Sequence, residues 1–297
     1  MALALRRGEA VEVLTLAEIR ATLDERGEVA GLPFMPEMER FAGARARVWR
    51  RADRICVDGA PTMRRMKDAV FLADLRCDGS AHGGCQRACL LIWSEAWLRR
   101  AHGTVPGHCP GAPQEKAAKV PAPLAGGPAA CQSTALMTAS TPLPVWRLDA
   151  YMRDLVTGNL GFLELAYAFG STLGHHAERL AAPWRRAGRP QRTPSETLGL
   201  QPGEWVEVKS LAEIEATLDG SQKNRGLEFS PGMSRYCGKR FRVGQRIERM
   251  IVEATGEMKD LTDTVLLGGL NCDGACSRGC PRANPLYWRE IWLRRVS

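Results

Sequence analysis

The sequence lacks several features that would assign a class of protein directly. No apolar run approaches the roughly 18 residues that span a bilayer, so no transmembrane segment is expected. The opening residues 1–7 have too short an apolar run for a secretory signal, and their charges follow that run. Phosphate-binding loops, dinucleotide fingerprints, Gly-x-Ser-x-Gly elbows and His-Glu-x-x-His motifs are also absent. We therefore expect a cytoplasmic protein without a common enzyme signature.

No part of the chain is strongly charged. The formal net charge is +8, but residues 8–100 hold 15 Lys/Arg against 14 Asp/Glu, and residues 203–295 hold 15 against 13. Because the excess of positive charge in each repeat is this small, net charge alone is a weak argument for binding of nucleic acid.

The chain contains a tandem duplication. Residues 8–100 (repeat one) align with 203–295 (repeat two) without a gap, and 45 of the 93 pairs are identical. Residues 101–145, rich in Pro, Ala and Gly, predict a flexible linker. Residues 146–184 have apolar residues at helical spacing and predict one or two amphipathic helices with a break at Gly158-Asn159; residues 185–202 predict a second linker. We expect the helices to dock on a repeat, with a protein partner or a membrane surface as alternatives.

Each repeat is predicted to be a small domain, mainly β with short helices (α+β). Thr15 with Glu18, and Ser210 with Glu213, form capping boxes that begin a two-turn helix. Short runs at 9–13, 45–51, 54–58 and 69–75, each with a counterpart in repeat two, fit strands. Many short strands in about 93 residues indicate an SH3-like or strongly bent sheet. The closing Trp-x-Glu-x-Trp motif (93–97 and 288–292) fits either a strand or a helical turn.

Eight of the ten cysteines form two clusters, and Cys109 and Cys131 lie between them. The clusters are Cys56, Cys77, Cys85, Cys89 and Cys237, Cys272, Cys276, Cys280. In a reducing compartment such residues are more often metal ligands than disulfides, and four thiolates suit zinc. Only Cys77/Cys272 and Cys85/Cys280 coincide in the alignment, yet each repeat keeps four. We predict two structural zinc sites; iron–sulfur clusters or buried, unliganded thiols are the alternatives.

Polar residues near the clusters favour structural roles. His82 lies inside the first cluster and could replace a weak ligand there, but Ser277 stands at the matching position, which favours an exposed loop histidine. Glu95 and Glu290, between two tryptophans and followed by Arg-Arg, predict partly buried carboxylates with an arginine partner.

Eight arginines, four in each repeat, form an aligned basic stripe. They are Arg45, Arg47, Arg51, Arg54, Arg240, Arg242, Arg246 and Arg249. Arginines two apart on a strand share one face, which could bind phosphate or an acidic partner. The alternative is a solvated face that nearby carboxylates balance, and the nearly neutral repeats favour it. Binding of nucleic acid is weakly supported, because the stripe shows no obvious aromatic interleaving of the kind that a base-stacking platform needs.

Several motifs carry a likeness to known proteins. They are Gly226-Leu227, Phe229, Met233, Tyr236-Cys237-Gly238, Arg242-Val243, Cys280-Pro281-Arg282 and Tyr287–Leu293 in repeat two, and Gly31–Met38 and Cys77–Gln86 in repeat one. Through them both repeats, and the joining segment after Trp146, resemble a widespread bacterial family of cysteine-rich proteins. The resemblance implies a bacterial, cytosolic origin and an accessory role in making a metabolite or peptide. Ala42 stands where the family pattern has Cys, which puts one candidate ligand of the first site in doubt.

Two hypotheses about function follow. The first is a zinc-stapled tandem-domain binding or accessory protein with a protein or acidic partner. The second is a redox or biosynthetic enzyme that uses iron–sulfur clusters or reactive thiols. Two of the four cysteines stand at different positions in the two repeats. This exchange favours the first hypothesis, because a catalytic geometry tolerates a change of ligand position less than a structural site does.

Overall fold

The computed structural model describes residues 3–58, 60–101, 130–144, 146–173, 192–274 and 277–296. Within these residues, repeat one begins with strand β1 and helix α1. Its elements are β1 (Ala10–Val13), α1 (Leu16–Arg20), β2 (Glu28–Val29), β3 (Leu32–Pro33), a 3-10 helix (Pro36–Phe41), β4 (Arg45–Arg51), β5 (Arg64–Arg65), β6 (Ala69–Arg76), β7 (Leu90–Ser94), a 3-10 helix (Glu95–Trp97) and β8 (Leu98–Arg100).

Repeat two follows the same order of elements. They are β10 (Trp205–Val208), α5 (Leu211–Glu215), β11 (Lys223–Asn224), β12 (Leu227–Glu228), a 3-10 helix (Pro231–Tyr236), β13 (Arg240–Arg246), β14 (Arg249–Ile251), β15 (Met258–Asp260), β16 (Thr264–Asn271), β17 (Pro285–Arg289), a 3-10 helix (Glu290–Trp292) and β18 (Leu293–Arg295). Between the repeats lie α2 (Gln132–Ala139), β9 (Thr141–Pro142), α3 (Leu148–Val156) and α4 (162–173).

Each repeat is built on one antiparallel five-stranded sheet. The strand order is β7-β6-β4-β1-β8 in repeat one and β17-β16-β13-β10-β18 in repeat two. Register shifts between Val48 and Arg50, and between Val243 and Gln245, bend the central strands at the same place. Both sheets curl into half-barrels, and the predicted fold class, two mainly β bent-sheet domains with short helices, is confirmed.

The local predictions can be compared with individual elements. Both capping boxes are present, with Thr15 and Ser210 accepting from the amides of Glu18 and Glu213. The closing motif ends a strand and then makes one 3-10 turn in each repeat. Residues 54–58 form only an isolated bridge at Ile55 in repeat one, whereas repeat two forms β14 at the equivalent place.

The tryptophans of the closing motif form the centre of each core. Trp93, Trp97, Trp288 and Trp292 are fully buried. Phe34 meets Trp97 edge to face with 5.2 Å between the ring centroids, and Phe229 meets Trp292 in the same way at 5.3 Å. Such aromatic pairs add stability beyond the area they bury.

The segment between the repeats packs on repeat one. The Gln132 side chain, on α2, accepts from the Ile92 amide and donates to the Ile92 and Pro33 carbonyl groups at 2.9–3.0 Å. This clamp places a helix inside the stretch expected to be linker. Asp154 on α3 pairs with Arg54 at 2.5 Å, and α3 and α4 are separated near Gly158-Asn159 as predicted.

The two repeats pack against each other through equivalent surfaces. The Cys56 amide donates to Cys280 Sγ at 3.2 Å, and the Ile251 amide donates to Cys85 Sγ at 3.3 Å. Cys56 aligns with Ile251, and Cys85 aligns with Cys280. The same amide-to-Sγ hydrogen bond is therefore made twice, once from repeat one to repeat two and once from repeat two to repeat one. This is the arrangement of a two-fold homodimer interface, formed here within one chain.

A buried ion-pair network crosses this interface. Arg282 and Arg87, which occupy aligned positions, both pair with Glu253 at N–O distances of 2.5 and 3.1 Å. The Glu253 side chain is 1% exposed, whereas that of Asp58, its aligned residue, is 56% exposed and pairs with Arg87 alone. The interface therefore repeats this amide-to-thiol contact in both directions but is asymmetric in its charges.

Candidate metal centre

The Cys-Asp-Gly sequence of repeat one begins a tightly closed loop after β6. The Cys77 amide donates to the Cys89 carbonyl at 2.9 Å, which joins the two ends of the loop. Gly79 has a φ of +71°, and a Cβ there would lie 1.9 Å from the Cys85 carbonyl oxygen. Only glycine fits such a position, so the loop geometry explains the Asp-Gly pair. The Asp78 carboxylate pairs with Arg40.

Three possible metal ligands converge beside this loop. The Glu37 side chain comes from the 3-10 helix Pro36–Phe41, and its Oε1 lies 2.5 Å from His82 Nδ1 and 3.8 Å from Cys77 Sγ. The three ligand atoms all lie within 4.8 Å of one another. Glu37 is 1% exposed and His82 is 6% exposed. The group can hold a metal ion, because each atom type is a common metal ligand.

Burial and neighbouring charge shape the ionisation of the group. Burial acts to raise the pKa of Glu37, but the hydrogen bond from His82 and backbone amides outweigh it and leave this pKa below its usual value. Burial raises the pKa of the Cys77 thiol well above its usual range, and Glu37 adds to the shift. Without a metal Cys77 is thus a thiol at neutral pH, and an ion must displace its proton. Glu37 Oε2 is buried and has no hydrogen-bond partner among the described residues.

A small cavity adjoins two of the three ligands. Its volume is about 30 Å³, and Cys77 and His82 form part of its wall. Three further thiols line it, those of Cys85, Cys89 and Cys131. Cys131 comes from the segment between the repeats, at the start of α2. The cavity therefore joins thiols of repeat one to a thiol from outside either repeat.

Repeat two does not reproduce the three-ligand group. Gly232 aligns with Glu37, and Ser277 aligns with His82. Of the three ligands, only Cys77 therefore has a residue of the same type in repeat two, which is Cys272. The Cys272 Sγ accepts from the Gly274 amide at 3.3 Å, and Cys237 is half-buried. Cys276 lies outside the described residues. Glu37, Cys77 and His82 are the only such group of three found within the part of the chain that the structure describes.

The four cysteines of the first predicted site make four different contacts. Cys85 Sγ accepts from the Ile251 amide at 3.3 Å. Cys77 belongs to the ligand group, and Cys89 Sγ lies 3.3 Å from Ser133 Oγ. Cys56 Sγ lies 3.2 Å from Cys280 Sγ, across the interface between the repeats. The two four-cysteine sites remain predictions, because the second cluster is described only in part.

The arginines of the stripe all have partners. Exposed Arg45 and Arg240 pair with Glu12 and Glu207 at 3.5 and 3.4 Å. The others donate to carboxylates or carbonyl groups: Arg47 to Gly8, Arg242 to Gly203, Arg51 to Asp53 and Glu95, Arg246 to Glu290, Arg54 to Asp154 and Arg249 to Asp260. Anion binding by these residues stays a prediction that would have to displace existing contacts.

The glutamates of the closing motif have the structural role that the sequence favoured. Glu95 pairs with Arg51 at 2.5 Å and accepts from the amides of Ala4 and Leu5. Glu290 pairs with Arg246 at 2.6 Å and accepts from three amides at 198–200. Each carboxylate fixes the segment of chain that precedes its repeat.

Sequence reasoning missed Glu37 and misplaced His82. The expectation of an exposed loop histidine is wrong, because the hydrogen bond to Glu37 holds the ring in the core. Neither residue has a counterpart in repeat two, so comparing the repeats gave them little weight. The sequence does contain one signal of a buried carboxylate. Glu37 stands between the apolar residues Met35 and Met38, which are both buried.

Comparisons with known proteins add no assignment. No protein-family model matches the chain, and neither a curated protein nor a solved structure matches it significantly. Among the described residues no helix has the length and apolar character needed to cross a membrane.

Proposed function

We propose that the protein is a zinc-stapled tandem-domain binding or accessory protein, in which repeat one holds the ion through Glu37, Cys77 and His82. The observation that carries this proposal is the convergence of three different ligand types within 4.8 Å in a buried position. The unsatisfied Glu37 Oε2 supports it, because a buried carboxylate oxygen without a partner is costly.

The ligand types favour zinc over an iron–sulfur cluster. Nitrogen, thiolate and carboxylate together suit the borderline-soft zinc ion, whereas clusters are held mainly by cysteine thiolates. One of the thiols lining the cavity, or a water molecule, would complete the tetrahedron. Cys131 in that position would tie the segment between the repeats to the metal.

The cavity favours a structural role for the ion. Catalytic zinc sites also have three protein ligands and an open position, but substrate pockets usually measure about 300–1,000 Å³. The cavity here measures about 30 Å³, which is room for a water molecule or an ion only. An accessory role in a bacterial biosynthetic pathway, which the family resemblance implies, fits such a stapled binding domain.

The test is metal content after purification and after reloading of chelated protein with zinc. We expect about one ion at this site per chain, and its loss in the Cys77→Ser, Glu37→Gln and His82→Ala variants. Cys272→Ser is the matched control, because it changes the aligned cysteine that has no such neighbours; it should keep the ion of repeat one. Circular dichroism identifies variants that fail to fold. Folded Glu37→Gln and His82→Ala proteins that retain full zinc would contradict the site, and iron with sulfide would contradict the metal.

One contact favours thiol redox chemistry as a second candidate function. Cys56 and Cys280, at 3.2 Å, could form a disulfide between the repeats by transferring two electrons and two protons to oxidised glutathione, which becomes two reduced molecules. Burial raises the pKa of Cys280 well above its usual value and slows such exchange, so this candidate ranks second.

Mass spectrometry under a glutathione redox buffer tests this second candidate. The native protein should lose two hydrogen atoms, while Cys56→Ile, which introduces the residue that repeat two has at 251, should not. Native protein that stays fully reduced in oxidised buffer would exclude it.

A further inference from the structure

A large open groove lies beside the closing motif of repeat one. It measures about 1,010 Å³ and runs between the β2–β3 hairpin, the start of β6, the 3-10 turn at 95–97 and residues 138–141 of the segment between the repeats. Its walls include Val29, Ala30, Lys67, Asp68 and Ser94. It lies apart from the metal centre, none of whose three ligands borders it. Its volume is that of a ligand pocket.

Repeat two fills the equivalent place with its own Arg289, which aligns with Ser94. The buried Arg289 guanidinium donates to the carbonyl groups of Asn224 (3.3 Å), Arg225 (2.8 Å) and Thr262 (2.7 Å) and to the Thr264 hydroxyl (2.8 Å). The corresponding residues of repeat one are Val29, Ala30, Lys67 and Ala69, and all four line the groove.

The backbone around this place is the same in both repeats. Ala30 and Arg225 have φ of 52° and 47°, and Asp68 and Asp263 have φ of 47° and 49°. The amides of Glu95 and Glu290 donate to the carbonyl groups of those two aspartates at 2.8 Å in each case. The carbonyl groups that hold the Arg289 side chain therefore have counterparts in the same backbone conformation in repeat one.

Repeat two also runs a stretch of chain along this place. The Thr193 hydroxyl accepts from the Arg225 amide at 2.9 Å, and the Thr197 hydroxyl lies 2.8 Å from the Asp263 carboxylate. Asp263 further pairs with Arg225 at 3.1 Å. In repeat one Ala30 replaces that arginine, and the aligned Asp68 has no side-chain partner within the described residues.

We propose that this groove binds an arginine side chain presented by an extended peptide segment of a partner protein. The guanidinium would occupy the place of the Arg289 side chain and donate to the carbonyl groups of Val29, Ala30 and Lys67, with Asp68 at the rim. This inference names a partner class and does not depend on the metal site.

Two cationic side chains also border the groove, and their charge acts against the binding of a cationic ligand. Arg65 and Lys67 line it. Arg65 lies within electrostatic reach of the carboxyl groups of Asp53 and Asp149. Lys67 is exposed and can turn away. A cationic ligand should bind more tightly to a Lys67→Ala variant, whereas an anionic ligand should bind less tightly.

The test uses zinc-loaded full-length protein and a fluorescent, end-blocked Gly-Gly-Arg-Gly-Gly peptide. The matched probe replaces arginine with citrulline, which has the same shape and no charge. We expect the arginine peptide to bind about tenfold tighter than the citrulline peptide, and Asp68→Asn to reduce its affinity by a similar factor. Ser94→Arg should abolish binding, because it places the side chain of repeat two in the groove. Blocked single arginine should bind several-fold more weakly than the peptide.

Three results would overturn the proposal. They are equal binding of the arginine and citrulline peptides, undiminished binding to a folded Ser94→Arg variant, and weaker binding to Lys67→Ala. Equal binding of blocked arginine and the peptide would exclude a peptide ligand. Because zinc content is measured on the same samples, loss of the metal site and loss of the groove are distinguishable.

Discussion

Repeat one and repeat two share a backbone but differ in the side chains that can carry chemistry. Strand order, capping boxes, tryptophan core and the carboxylate of the closing motif occur in both. Among the described residues, the candidate ligand pair Glu37 and His82 and the open groove at Ser94 lie in repeat one. In repeat two the same places hold Gly232, Ser277 and Arg289. On the proposed function, repeat one would carry the binding sites and repeat two would complete the scaffold.

The largest expected effect tests the charge asymmetry of the interface. Glu253→Ala should lower the free energy of unfolding by about 3–5 kcal/mol, because it leaves buried Arg282 without its carboxylate and removes one of the two that Arg87 contacts. Asp58→Ala, at the aligned position, should cost less than about 1 kcal/mol, since its side chain is mostly exposed. Urea denaturation monitored by tryptophan fluorescence compares the two. Equal effects would show that the interface is symmetric in energy as well as in backbone.

An intermediate effect distinguishes the two closing motifs. Glu95→Ala should destabilise repeat one by about 2–4 kcal/mol, because the Arg51 side chain, only 5% exposed, loses one of its two carboxylates and keeps only the buried Asp53. Glu290→Ala should cost about 1–2 kcal/mol less, since the Arg246 side chain is 25% exposed and can reach water. Hydrogen exchange of amides in each repeat measures these costs separately. A larger loss in repeat two would mean that the amides at 198–200, rather than the arginine, dominate.

The smallest effect concerns the exposed arginines of the stripe. Arg45→Ala and Arg240→Ala should each change stability by less than about 0.5 kcal/mol, because both ion pairs are solvent-screened. The two variants should be indistinguishable in thermal melting. A clear difference in melting temperature between the two variants would reveal a role for the stripe arginines of one repeat that their contacts do not indicate.

The sequence predicted those features whose cause is local or repeated. The capping boxes follow from Thr15 and Ser210 with a glutamate three residues later, and the buried carboxylates follow from the aligned Glu95 and Glu290. Both patterns occur twice, so each copy supports the other.

Features that depend on long-range packing could not be predicted in this way. The Cys56–Cys280 contact joins residues 224 positions apart, and no periodicity reports such a distance. Cys131 reaches the cavity because α2 is clamped on repeat one by Gln132, a contact that composition does not encode. Glu37 and His82 were underweighted because repeat two lacks both.

The two-fold packing of the repeats has a consequence for how such a protein can change. In a homodimer every substitution appears on both sides, so a new ligand or an emptied groove would arise in pairs. Covalent fusion removes that constraint and also makes association independent of protein concentration. One carboxylate, Glu253, can therefore neutralise an arginine from each half, where identical chains would bring two such acids together. Joining the copies thus permits a division of labour that identical subunits could not reach.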